Sequence, residues 1–271
     1  MQSSHVPVHV SALFDEPNLI ADAGLLPLVR IAERAGMPEL AAQVRIDGAA
    51  TSGGAHAPAK VMSLLGAMCT GADAIDDADR LRHGAMDRAF TGIRAPSTLG
   101  TFLRSFSHGH NRQLHRVHRE FLTRLATHTP LLPGAGQGEL FTSWRYHPVF
   151  TNSPFTMLEA ELHHRQHAIA DGKSPALAHL PSGDFQANAA WLTLWAMSHN
   201  LLRAAGTLAS VFHAKATTAP LRAHLVHVPA RLARTARTAR TKPTAHLPAN
   251  WPWRDAWLSL FDAVHHPPAP A

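Results

Sequence analysis

The chain has 271 residues, 45% of them hydrophobic, enough to bury the core of one large or two small domains. Lys and Arg number 25 against 19 Asp and Glu, for a formal net charge of +6 and a pI near 10.4. The 21 histidines add positive charge below about pH 6.5, so polyanions are the natural partners. No apolar run reaches the ~18 residues of a membrane span and MQSSHVPVHV has no signal-peptide pattern, so no membrane is expected and the location is expected to be cytoplasmic. A single cysteine, Cys69, excludes an intrachain disulfide and a cysteine metal cluster.

In chain order, Val6, Val8 and Val10 alternate with His5, Pro7 and His9, a short strand that Pro7 confines to a sheet edge. From Ala21 to about Val44, Leu25, Leu26, Leu28, Val29, Ala32, Leu40 and Val44 predict two short helices broken near Gly36, with Pro38 at the start of the second. A loop, IDGAATSGGAHAP, leads to a helix over Lys60 to Cys69 that buries the thiol, and Asp73, Asp76, Asp77 and Asp79 crowd an exposed turn. Ser97, after Pro96, is the expected N-cap of a long helix. Its apolar face runs through Leu99, Phe102, Leu103, Phe106, Leu114, Val117, Phe121 and Leu125, with Gly109 bending or dividing it.

On the polar side of that stretch Arg104, His108, Arg112 and Arg116 step by four, joined by His115, His118 and Arg119. Such a face is either an ordinary solvated one or a surface that approaches phosphates, and the pattern leaves both open. After the glycine-rich GAGQG, Leu140, Thr142, Trp144 and Tyr146 alternate with Phe141, Ser143, Arg145 and His147 in a strand that stops at Pro148. The segments after it, SPFTMLEAELHHRQHAIA and DFQANAAWLTLWAMSHNLLRAAGTLASVF, read as helices, the second burying Ala187, Trp191, Leu194, Met197, Leu201 and Ala205. A lone strand cannot satisfy its backbone, so it either pairs with Val6 to Val10 or lacks its natural sheet.

Beyond Pro220 a Thr-Ala-Arg repeat sets Arg231, Arg234, Arg237 and Arg240 three apart, as a nonspecific phosphate-binding arm or a solvated linker. NWPWRDAWLSLFDAV predicts a short amphipathic helix that docks back through Trp251, Trp253, Trp257, Leu258 and Phe261. Catalytic patterns fail. GAGQG lacks the Lys-Ser/Thr pair of a phosphate loop, and His163 and His167 have the spacing of two zinc ligands without a third. Two-metal chemistry needs converging acids, yet the strand from Leu140 to His147 has none, and Glu159, Glu161 and Asp171 after it have no acid-bearing neighbouring strand.

Several runs together carry a resemblance: SALFDEPNLIADAGLLPLVRIAERAGMPEL, IDDADRLRHGAMDRAFTGIRAPSTLGTFLRSFSHGHNRQL, GELFTSWRYHPVFTNSP and ALAHLPSGDFQANAAWLTLWAMSHNLLRAAG. Over most of residues 11 to 212 the chain resembles the DDE-domain group 1 transposases of bacterial insertion sequences. The resemblance implies a helical N-terminal region that binds terminal repeats, and a ribonuclease-H-like domain whose Asp, Asp and Glu hold two Mg²⁺ ions in intact members. Here the segment bearing both aspartates is missing between TPLLPGA and GELFTSWRYH, and the stretch bearing the glutamate is missing after HRQHAI.

The expected fold is therefore mainly α. Residues 1–132 form a helical DNA-binding-like region, and residues 139–271 form the remnant of a ribonuclease-H-like α/β domain with few strands and a basic arm. No catalytic residue, metal ligand or resident cofactor is expected. DNA contacts are assigned to Arg104, Arg112, Arg116, Arg119, Arg165, Arg203, Arg231, Arg234, Arg237 and Arg240. The expected partners are DNA, terminal inverted repeats above all, and a second copy of the chain or an intact transposase. The alternative is a helical DNA-binding or interaction protein without transposition activity.

Overall fold

Two apolar segments far apart in sequence pair in the computed structural model, which describes residues 13–46, 54–131, 177, 180–233 and 244–266. Leu19–Ile20 (β1) runs antiparallel to Ala230–Ala233 (β2), Ile20 opposite Ala230, and β2 pairs antiparallel with Thr244–His246 (β3), Leu232 opposite Ala245. The rest of the described chain is mainly helical.

The first helices follow the apolar spacing. Leu25–Arg34 (α1) buries Leu25, Leu28, Ile31 and Ala32. Gly36 turns the chain at φ 71°, a region glycine enters without a Cβ penalty, and Met37–Ala41 (α2) follows with Pro38 in its first turn. Ala57–Cys69 (α3) starts three residues earlier than the expected Lys60, because Pro58 fits a first turn whose N–H groups have no helical partner. The acidic turn is a 3₁₀ helix, Asp76–Arg82, and Met86–Ala89 (α4) follows it.

The expected long helix is two. Pro96–Arg104 (α5) takes Ala95, not Ser97, as its N-cap residue, with Pro96 at the first helical position. His108–His128 (α6) begins at a cap on Ser107, so the division falls before Gly109, which lies inside α6. Ser107 Oγ accepts from the His110 backbone N–H at 3.4 Å, and His110 Nδ1 accepts from the Ser107 N–H at 3.0 Å. This reciprocal pair satisfies two N–H groups that would otherwise lack partners, with histidine in the place usually taken by Glu or Gln. Leu99, Phe102, Leu103, Phe106, Leu114, Val117, Phe121 and Leu125 are all buried, as the period predicts.

Phe185–Ala209 (α7) lies at the centre, packed on α1, α3, α5 and α6. Asp184 starts it by accepting from the N–H groups of Gln186 at 2.7 Å and Ala187 at 3.1 Å. Val211–Lys215 (α8), Thr218–Leu221 (α9) and a π turn, Arg222–Val226, lead into β2. Arg254–His265 (α10) closes the chain against α1 and α7. Its docking face is Trp257, Leu260 and Val264, whereas Leu258 is exposed and Trp251 and Trp253 precede the helix. The expected boundary at 132–139 lies outside the described residues, and helices on both sides of it share one hydrophobic core.

A polar clasp joins the ends. Asp22 is fully buried, and Arg80 donates to it from Nε and Nη2, both at 3.0 Å, while His227 Nδ1 lies 2.7 Å from Oδ1. Gly24 sits so close to the π turn that a Cβ there would stand 1.7 Å from the Leu225 carbonyl oxygen. Outside the described residues lie the expected strands Val6 to Val10 and Leu140 to His147, GAGQG, the helix bearing His163 and His167, and Glu159, Glu161 and Asp171.

Candidate nucleic-acid interface

The short α5, a three-residue turn at Ser105–Ser107 and the long α6 form a helix, turn and helix arrangement. α6 buries Asn111, Leu114, Val117, Phe121 and Leu125 against α7 and α2, which turns the opposite side to solvent. On that side His108, Arg112, His115, Arg116 and Arg119 are all exposed. At 100° per residue they fall within an arc of about 100°, and at 1.5 Å per residue they span about 16 Å of helix.

The charges on this face are only partly compensated. Arg116 Nε donates to Glu120 Oε1 at 2.9 Å, an i,i+4 pair that offsets one cation. Arg112 and Arg119 make no ion pair among the described residues. Arg45, which the sequence pattern did not single out, is exposed beside them, because its backbone N–H donates to Gln113 Oε1 of α6 at 2.8 Å. The only earlier signal for it was its positive charge at the end of the second helical segment.

The other assigned arginines separate into different environments. Arg104 is exposed but sits on α5, so the regular step of four through Arg104, His108, Arg112 and Arg116 is broken by the Ser107 cap. Arg203 is half-buried: its guanidinium donates to the Ala214 carbonyl at 2.6 Å and to that of Ala216, closing the end of α8. Arg231 stands exposed on β2, in a strand rather than on a helix or a free arm, because β1 and β3 pair with it on both sides. Arg165, Arg234, Arg237 and Arg240 lie outside the described residues.

Behind the cationic face, His118 turns toward α7, where Asn200 Nδ2 is 3.3 Å from its Nε2. Burial, and secondarily the charge of His115, push its pKa down to about 4, so it is neutral at pH 7 and leaves the packed interface uncharged. Burial likewise pushes the Cys69 thiol up to about 12, against a smaller opposing effect of Arg222, which leaves it protonated and unreactive.

No group of three or more His, Cys, Asp or Glu among the described residues is arranged to hold a metal ion. Asp77 caps its own turn, accepting from the N–H groups of Asp73 and Ala74 at 3.1 and 3.0 Å, and Asp79 pairs with Arg82 at 2.6 Å. An open cavity of about 540 Å³ lies beside this turn, lined by Asp79, Arg82, His83, Asp87, Phe90 and Ile93, and belongs to a different part of the chain from the α6 face. No helix among the described residues is long and apolar enough to cross a membrane. Set against known protein families, curated proteins and solved structures, the chain matches none of them.

Proposed function

We propose that this chain is an internally deleted relative of the DDE-domain group 1 transposases, one that keeps a DNA-binding surface and has lost catalysis. The observation that carries the DNA-binding part is the exposed row of His108, Arg112, His115, Arg116 and Arg119 on α6, with Arg45 alongside. Cations aligned on one solvent face attract the phosphate backbone and release its counterions. The same row follows a short helix and a tight turn, a layout that can seat the second helix in a groove. The ribonuclease-H-like remnant, the division near 132–139 and the preference for terminal inverted repeats rest on the sequence resemblance. The resemblance implies that the acids holding Mg²⁺ in intact members are missing from this chain, so no step of phosphoryl transfer is assigned to it.

A second reading, a helical DNA-binding protein without transposition activity, is favoured by the β1–β2 pairing and the Asp22 clasp, which knit the two ends into one core. One experiment addresses both. Fluorescence anisotropy with terminal-repeat duplex and random duplex is followed from low to moderate salt, for the wild type and for R112A/R116A/R119A. Preference for the repeat supports the transposase-derived reading, and equal affinity with a steep salt dependence supports the second. Absence of binding to either duplex at low salt sinks both. Mg²⁺-dependent nicking of repeat DNA would overturn the loss of catalysis.

A further inference from the structure

At the corner where α8, the π turn and the approach to α10 meet, aromatic and imidazole rings gather around one hydrogen bond. His213 is buried, and its Nε2 lies 3.3 Å from His224 Nδ1. On its other side His213 Nδ1 is 2.8 Å from Ser210 Oγ. The His224 ring stacks on Trp253 with centroids 4.1 Å apart and planes 19° from parallel, and the His224 carbonyl accepts from Trp251 Nε1 at 3.0 Å. Phe212 adds a second parallel ring, 5.3 Å from Trp253. Trp251 and Trp253 immediately precede α10, so this cluster holds the N-terminal end of that helix. Its other end is held by Arg34, whose Nη1 donates to the carbonyls of Ala263 and Val264 at 3.3 and 3.2 Å.

From this arrangement we infer that His213 and His224 form a proton-operated latch, which fastens α10 to the helical core at neutral pH and lets its N-terminal end go in mild acid. The two facing nitrogens need one proton between them: one donates and the other accepts. A first added proton is tolerated, because a charged His224 lies over the face of Trp253. A second addition points two N–H groups at each other across 3.3 Å in a buried site, and the pair must part. Burial depresses the pKa of both rings, and for His213 the neighbouring His224 adds to it.

The charged groups around the pair offer no relief. Among the described residues no carboxylate contacts either imidazole. On α8 itself Lys215 is exposed, and in the π turn Arg222 donates to Thr218 Oγ1 at 3.1 Å. From α7, Arg203 bonds the carbonyls of Ala214 and Ala216, and on α10 Arg254 and Asp255 are exposed.

The test is amide hydrogen exchange of the full chain at pH 7 and pH 5, corrected for intrinsic rates, comparing α10 with α3. The wild type is expected to lose about tenfold more protection over Arg254–His265 than over Ala57–Cys69 on acidification. H224F keeps a ring on Trp253 and removes the nitrogen that faces His213, so its α10 should lose clearly less protection on acidification than the wild type's, with H224Q as a second variant without the imidazole if H224F does not fold. Equal changes in α10 and α3 of the wild type overturn the latch. So does a pH-dependent loss confined to α10 that is undiminished in whichever variant folds.

Discussion

α6 and α7 pack against each other and share one core, yet they present opposite outer faces. α7 is buried along most of its length, with Trp191, Leu194, Met197 and Leu201 inward and small residues such as Ala190, Ala204 and Ala205 letting its neighbours approach. α6 gives only one stripe to the core and leaves a row of cations in water. A side chain on α7 therefore acts through packing. One on the outer face of α6 has little to pack against and acts, if at all, through its charge.

Substitutions can break that contrast. Trp191→Ala and Phe121→Ala remove fully buried rings from either side of the contact, and each is expected to cost about 3–5 kcal/mol in denaturant unfolding. A cost below about 1 kcal/mol at either site would deny the shared core. Smaller is the effect of acid on His118. Its unfolded pKa near 6.5 exceeds its folded value of about 4, so the unfolded chain takes up the proton first. Stability held above pH 6.5 is then lost as pH falls toward 4, by about 2–3 kcal/mol at pH 4.5. His118→Leu should abolish that part of the difference between unfolding at pH 7.5 and pH 4.5.

On the outer face the expectation reverses. Replacing Arg112, Arg116 and Arg119 together by alanine should leave stability within about 1 kcal/mol of the wild type, since the only ion pair these three make among the described residues is the exposed one with Glu120. The slope of log affinity for duplex DNA against log salt should become shallower by about 2–3. A large stability loss with an unchanged slope would assign these arginines to the fold. The smallest effect is at the start of α6. His110→Ala removes the reciprocal bond to Ser107 and should cost about 1 kcal/mol, whereas His110→Gln, which can still accept from the Ser107 N–H, should stay within about 0.5 kcal/mol. Thermal unfolding of the two variants side by side separates the outcomes.

Much of the helical architecture was legible. The break at Gly36 and the apolar positions from Leu99 to Leu125 follow from local period and backbone freedom. The split at Ser107 had a visible signal in Ser-x-x-His, concealed because histidine replaces the usual Glu or Gln. The pairing of Leu19–Ile20 with β2 was not legible, since a two-residue strand has no period and its partner lies more than two hundred residues away. The Asp22 clasp was hidden for the same reason, its partners standing 58 and 205 positions along the chain. Of the candidate interface, Arg112, Arg116 and Arg119 could be read from helical spacing, but Arg45 joins them only through the long-range bond from its backbone to Gln113.

By itself, the sequence determined the sign of the charge, the helical character and which side of each long helix is apolar, because these depend on residues within a few turns of one another. Only the tertiary structure decided which cations are available. Arg112 and Arg203 look alike as arginines on amphipathic helices. Yet the first faces water, and the second donates to the carbonyls of Ala214 and Ala216, because the chain doubles back beside α7 and brings unsatisfied backbone oxygens within its reach.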